Sequence, residues 1–174
     1  DKSALADLVK DIDIDLIRKP DGTLIVLCNG EDVTEHIRTP EVSKCTSPVA
    51  DALCVRERLV RLQREMGKNG GIVMEGRDIG TVVFPDADVK IFLDAAIETR
   101  AQRRYEELLI KGEQTSFEAE LERTRIRDER DRARPVGALR VAEGAVVVDN
   151  TNMNINETVE RLAEIVEKAV RAGH

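Results

Sequence analysis

The order of apolar runs after Gly71 constrains this chain most. Three short strand-like runs, at residues 72–75, 89–93 and 145–149, alternate with helical patterns at 97–110, 117–134 and 155–170. Strands that alternate with helices predict an α/β domain with a parallel sheet. The last helical pattern carries Ile155, Val159, Leu162, Val166 and Ala169 at helical spacing, one apolar stripe. The first 70 residues read differently. Residues 3–10 form a short amphipathic helix behind a serine cap. Runs at 13–17 and 23–28 flank Lys19-Pro-Asp-Gly22, which predicts a hairpin. Asn29-Gly30 starts a further turn, 31–38 reads as irregular, and Thr39-Pro40 begins a helix, with proline tolerated in the first turn. Residues 49–66 read as one helix, ended by the glycines at 67–71. Two parts follow: a small lobe over 1–70 and the alternating α/β part over 71–174.

The first apolar run ends in Glu75-Gly-Arg-Asp78. A buried parallel strand that delivers charged residues to the end of its sheet has this look. In open α/β sheets, ligands bind beyond the carboxyl ends of the strands. Arg77 and Asp78 are therefore either a buried structural ion pair or a ligand clamp, and the residues alone leave both open.

Composition removes several classes. The 41% hydrophobic content with 11 glycines is that of an ordinary globular chain. A net charge of −7 repels nucleic acid, and 2% aromatic residues leave few platforms for base stacking, so a nucleic-acid-binding protein is disfavoured. No apolar run approaches the length of a membrane span, and no membrane partner is expected. Cys28, Cys45 and Cys54 lack the spacing of a zinc site or disulfide framework, so no protein metal site is predicted and a cytoplasmic location is expected. Any anionic partner must be small and met by a local cluster.

Residues 121–134 supply such a cluster. At 3.6 residues per turn, Arg123, Arg127, Arg130 and Arg134 fall within about 60° of one another. Glu122, Asp128 and Glu129 project elsewhere, and Asp131 borders the stripe. A solvated helix laced with i,i+4 ion pairs is the plain alternative. Four guanidiniums on one side repel unless an anion collects them, and the planar fork of arginine suits phosphate or carboxylate. A helix that closes over phosphates with such arginines would stabilise charge on a transferring phosphoryl group.

Glu75-Gly-Arg-Asp-Ile-Gly-Thr-Val-Val-Phe-Pro-Asp-Ala-Asp-Val-Lys-Ile-Phe-Leu-Asp94 resembles the central signature of the bacterial cytidylate kinases. Three further segments match that family at the right separations: 30–43, similar to its CMP-lobe insert, Arg100-Ala-Gln-Arg-Arg-Tyr105, and the lid-like Arg127-Asp-Glu-Arg-Asp-Arg-Ala-Arg134. The resemblance implies a P-loop-kinase-like parallel sheet core with a small α+β nucleotide-binding insert and a helical lid at about 112–136. It implies transfer of the γ-phosphoryl of ATP to CMP or dCMP with Mg²⁺ as cofactor, and a monomeric parent enzyme. Ser47, Arg56 and Asp78 match residues that hold the cytosine ring. A carboxylate there accepts from the exocyclic amino group of cytosine and faces a carbonyl in uracil, which disfavours UMP. Arg77 and Arg134 match arginines around the acceptor phosphate, Arg127 and Asp131 match residues that meet the sugar, and Arg130 is a lid arginine aimed at the transferring group. Read without the family, Ser47 caps a helix, Arg56 is one more surface arginine and Asp78 caps a loop. The lid end departs from the family pattern at Arg132-Ala133 and in Pro135-Val-Gly-Ala-Leu139, which bears on the aim of Arg134.

No P-loop (GxxxxGK followed by Ser or Thr) occurs: the one Gly-Lys pair, Gly67-Lys68, precedes Asn69. By the resemblance, the first strand and the P-loop precede Asp1. The expectation is a cytidylate kinase chain shortened at its N-terminus, with little activity of its own and open sheet edges through which it self-associates. The alternatives are a non-catalytic remnant that binds CMP or a partner, and, among enzymes, a kinase of UMP or AMP.

Overall fold

A computed structural model describes residues 2–172, apart from the side chains of Lys2, Pro40, Ser43, Lys44, Ser47 and Pro48. The chain divides into two compact units, Asp1–Val73 and Met74–His174, each described by itself.

In the first unit, α1 (Lys2–Lys10) packs on α3 (Leu53–Gly67), and Val9 and Val55 are the buried residues of the pair. Between them β1 (Ile14–Arg18), β2 (Leu24–Cys28) and the two-residue β3 (Glu31–Asp32) form an antiparallel sheet in the order β1-β2-β3, with Leu16 opposite Val26. The Lys19–Thr23 turn closes the hairpin: Lys19 N–H donates to the Thr23 carbonyl at 2.8 Å, and Gly22 takes a φ of 86° that a side chain resists. Thr34 is buried and its hydroxyl accepts from Val26 N–H at 2.9 Å, fixing the segment after β3. Two expectations change here. The stretch at 31–38 is not wholly irregular, because it contains β3 and a 3₁₀ turn at His36–Arg38. The helix expected at 49–66 begins only at Leu53, because Val49 and Ala50 finish the helix that starts at Pro40, α2 (Pro40–Ala50), and Ala52 adopts an extended backbone (φ −74°, ψ 123°) before α3.

The second unit holds β4 (Ile91–Asp94), α4 (Ile97–Ile110), α5 (Phe117–Ala133), β5 (Val146–Asp149) and α6 (Ile155–Ala172). β4 and β5 pair in parallel, Ile91 opposite Val146 and Asp94 opposite Asp149, so both aspartates emerge at the carboxyl end of the sheet. α4 crosses over between them, as parallel pairing requires, and α5 packs against it. Val83, Ala95, Ala101, Leu108, Ala138, Val148 and Ile165 are its buried apolar residues among the described ones. α5 begins where expected because Ser116 accepts from Ala119 N–H at 3.2 Å. α6 begins at a reciprocal pair, Asn154 N–H to Glu157 at 2.7 Å and Glu157 N–H to Asn154 at 3.0 Å.

Two findings depart from the sequence reading. Residues 72–75 form no strand: an extended run becomes one only when its N–H and C=O groups meet a neighbour, and among the described residues these meet none. Much of the apolar stripe of α6 is open, with Ile155, Val159 and Val166 exposed, while Thr158 and Ile165 along one edge of it are buried. Among the described residues no helix is long and apolar enough to cross a membrane.

Candidate functional site

The segment after Met74 turns tightly at Gly76. A Cβ on Gly76 would lie 2.8 Å from Ile79 Cγ1, so the glycine lets the chain fold back on that side chain. Asp78 then takes a sparsely populated conformation (φ −133°, ψ 19°) and opens a π-helical turn at Ile79–Val83. Its carbonyl accepts from Val82 N–H at 2.8 Å and lies 3.3 Å from the N–H groups of Thr81 and Val83. Its carboxylate makes no capping hydrogen bond to that turn. Wide turns of this kind recur at functional sites.

One residue before, Arg77 reaches α5. Its Nε lies 3.2 Å from Oδ2 of Asp131, whose side chain is 4% exposed. Arg134, which ends α5, brings Nη2 to 3.1 Å from Asp131 Oδ1, and Arg127 Nε stands 3.9 Å from Oδ2. Three guanidiniums thus converge on one buried carboxylate. Asp131 Oδ2 accepts no hydrogen bond among the described residues, although the charges around it are favourable. Pro135-Val-Gly-Ala-Leu139 does not turn Arg134 away. Leu139 N–H donates to the Asp131 carbonyl at 2.9 Å, folding the departing chain back over the end of α5.

The arginine stripe is therefore not a row awaiting one external anion. Arg123 leaves it for Glu120, a buried carboxylate that also accepts from the Thr115 hydroxyl at 2.6 Å. Arg127 and Arg134 stay together because Asp131, which the helical angles placed at the border, gathers them. Arg130 is exposed in the last turn. On another side of α5, buried Asp128 is held by Arg100 of α4, with Nη2 at 2.8 Å and Nη1 at 3.0 Å. The sequence reading missed that pair: residues 28 apart on two helices give no local signal. Ser47 and Arg56 belong to the first unit. Ser47 lies in α2, but its side chain is outside the described residues; Arg56 is half-buried in the first turn of α3.

The carboxyl ends of the strands are tied to the start of α4. Asp149 accepts from the Thr151 hydroxyl at 2.5 Å and from Thr151 N–H at 2.8 Å. That hydroxyl bond is the main reason the Asp149 carboxyl titrates below its ordinary value, with the N–H bond second. The same Thr151 oxygen accepts from Ala96 N–H at 2.8 Å, joining the β5 end to the start of α4. A cleft of about 600 Å³ lies elsewhere, between Gly80, Lys90, Ala138, Arg140 and Glu143. Lys90 precedes β4, so this cleft is at the amino ends of the strands, whereas α/β sheets bind ligands beyond the carboxyl ends. Volume alone does not make it the site. No group of three or more metal-ligating side chains is gathered among the described residues.

A cluster of arginines around one buried carboxylate, beside a turn that presents a second, suits a small anion carrying hydrogen-bonding groups. The family model described as cytidylate kinase matches residues 1–168. A cytidylate kinase of Geobacter sulfurreducens is 46% identical over 170 residues, covering 98% of this chain and 72% of that protein. Those of Bacillus velezensis and Bacillus subtilis are 48% and 46% identical over 171 residues, covering 98% of this chain and 76% of each.

Proposed function

The chain belongs to the cytidylate kinase family of nucleoside monophosphate kinases, and from that premise we infer that the Asp131 cluster is its acceptor site, where CMP or dCMP receives the γ-phosphoryl of ATP to give CDP or dCDP. The observation that carries this reading is the convergence of Arg77, Arg127 and Arg134 on Asp131. Arg77 and Arg134 hold the acceptor phosphate through their planar forks. Three guanidiniums gathered at one place attract an anion even though Asp131 occupies their centre.

Asp131 has a second role in this reading. Its Oδ2 has no hydrogen-bond donor among the described residues, and a sugar hydroxyl supplies one once the exposed Arg127 side chain swings aside to the phosphate. Arg130, one residue earlier and exposed, faces the transferring group from the lid. Asp78 reads cytosine, and a uracil carbonyl opposite it leaves the carboxylate opposed rather than paired; Ser47 and Arg56 match base-holding residues of the family. Catalysis of this kind consists of positioning and charge stabilisation.

ATP is the donor in this reading. Mg²⁺ has no cage of side chains among the described residues. It fits as an ion carried chiefly by the phosphates of ATP, where it neutralises charge. The two units fit the roles of an acceptor-nucleotide lobe, over about 1–70, and a core with lid at about 112–136.

Nucleotide binding tests the reading. Calorimetric titration should show saturable binding of CMP in clear preference to UMP, and Asp78→Ala should narrow that preference by about tenfold, the loss of one base-edge hydrogen bond to a charged group. Equal affinity of the unsubstituted chain for CMP and UMP would contradict it.

A further inference from the structure

Arg100 has no part in the acceptor site as described, yet it makes a complete two-pronged ion pair. Its Nη1 and Nη2 meet the two oxygens of Asp128 at 3.0 and 2.8 Å, and its Nε donates to the Ala95 carbonyl at 2.9 Å. Resting on the acceptor-site reading, we propose that Arg100 is a positioning residue that sets the aim of the phosphate-holding arginines on α5.

The geometry supplies a continuous mechanical link. Ala95 directly follows β4, whose register with β5 is fixed by the parallel ladder. Ala95 N–H also donates to the Asp94 carboxylate at 2.9 Å, and Asn150 N–H donates to the Asp94 carbonyl at 2.9 Å, so this strand end is held from both strands. From that fixed point Arg100 spans to Asp128, which is 5% exposed. Arg127 precedes Asp128, and Asp131 follows it by three positions, so all three lie within little more than one turn of a rigid helix. Arg132 is 3.9 Å from Asp128 and mostly exposed, a weak substitute.

Without Arg100, Asp128 is a buried carboxylate with little compensation, and such a group is not left dry. α5 must rotate or shift to bring it to water. The same motion carries Arg127 and Asp131 away from Arg77, which stands on the segment after Met74 and does not travel with α5. The phosphate grip then loosens, while Asp78, on that same stationary segment, keeps its place. A positioning role thus predicts a selective loss, of phosphate recognition rather than of base recognition.

NMR titration of the full chain with CMP and with cytidine, which lacks the phosphate, separates the two. The ratio of their affinities measures the phosphate grip among folded molecules only. Arg100→Ala should lower the CMP-to-cytidine ratio by about tenfold, the size of coupling seen between groups in one ion-pair network, with cytidine affinity within about twofold of the unsubstituted chain. Arg100→Lys keeps the charge but not the fork. It should melt near the unsubstituted chain and still lose several-fold in the ratio. A purely structural role would lower the melting temperature of Arg100→Ala and leave the ratio unchanged, and that result would overturn the proposal. If Arg100→Ala does not fold, Arg100→Lys decides on the same criterion. An unsubstituted chain that binds CMP no better than cytidine refutes the acceptor-site reading itself, and this inference with it. An intact preference there, with variants that retain it, refutes the positioning role alone.

Discussion

Replacing Asp131 by asparagine removes the one negative charge on which Arg77, Arg127 and Arg134 converge and changes almost no volume. At separations of 3.2 and 3.1 Å, an effective dielectric constant of about 20 gives roughly 5 kcal/mol of gross attraction to each of Arg77 and Arg134. Arg127, at 3.9 Å and mostly exposed, adds little. Most of the gross attraction is offset by the cost of drying a carboxylate that is 4% exposed. What remains is the penalty of three guanidiniums left facing one another with the Asp131 charge gone. Arg77 and Arg134 keep some access to water, at 35% and 20%, so the loss falls at about 2–3 kcal/mol, below the range for a fully buried pair. Urea unfolding followed by circular dichroism should show a lower midpoint with an unchanged slope, and the melting temperature should fall by about 5–10 °C. Inorganic phosphate should then stabilise Asp131→Asn more than the unsubstituted chain, because an external anion replaces the lost charge. A variant within about 0.5 kcal/mol of the unsubstituted chain, indifferent to phosphate, would refute the view that this carboxylate holds the arginines together.

Other perturbations follow from the same geometry. Gly76→Ala places a Cβ against Ile79 Cγ1 and should cost about 1–3 kcal/mol by overpacking; adding Ile79→Ala should recover part of it in the same urea assay, and no recovery would put the cause elsewhere. Thr151→Val removes the hydroxyl that holds the Asp149 carboxyl below its ordinary value of 3.8. A carboxylate depressed in the folded state contributes stability above its unfolded pKa and loses it as pH falls through the folded pKa. The variant should therefore titrate nearer the ordinary value by carbon-detected NMR, with a weaker fall in stability on acidification through and below about pH 4; an unmoved titration would show that the Thr151 N–H suffices. Glu120→Gln should free Arg123 without touching the Asp131 cluster, so CMP affinity should stay within about twofold while stability falls by about 1–3 kcal/mol; a large loss of affinity would place Arg123 in the site.

The helices of the second unit were legible because their signals are local: the Ser116 cap, the Asn154–Glu157 pair and apolar positions at helical spacing each act within a few residues. The hairpin around Gly22 was legible for the same reason. Residues 72–75 were not, because an apolar run of four becomes a strand only beside a partner, and nothing within the run says whether one is there. The stripe on α6 shows the same limit from the other side: its spacing predicts the helix, not what its face meets. At the site, helical angles put Arg127, Asp131 and Arg134 near one another. They could not show that Arg77 arrives from 50 residues away or that Arg123 is drawn off by Glu120. The stripe looked like four equal charges because a helical wheel counts direction and ignores burial. Asp131 and Glu120 are the residues that order it, and burial is what gives them that power.

Arginine Nε–H signals in ¹⁵N-resolved NMR spectra, followed while CMP is added to the chain, test the acceptor site most directly. The account predicts that the Arg77 and Arg134 signals shift together and saturably with CMP, that cytidine leaves them in place, and that Arg123 does not respond. Signals of Arg77 and Arg134 that ignore CMP while other residues report its binding would place the phosphate elsewhere, and the Asp131 cluster would then be a structural ion-pair hub alone.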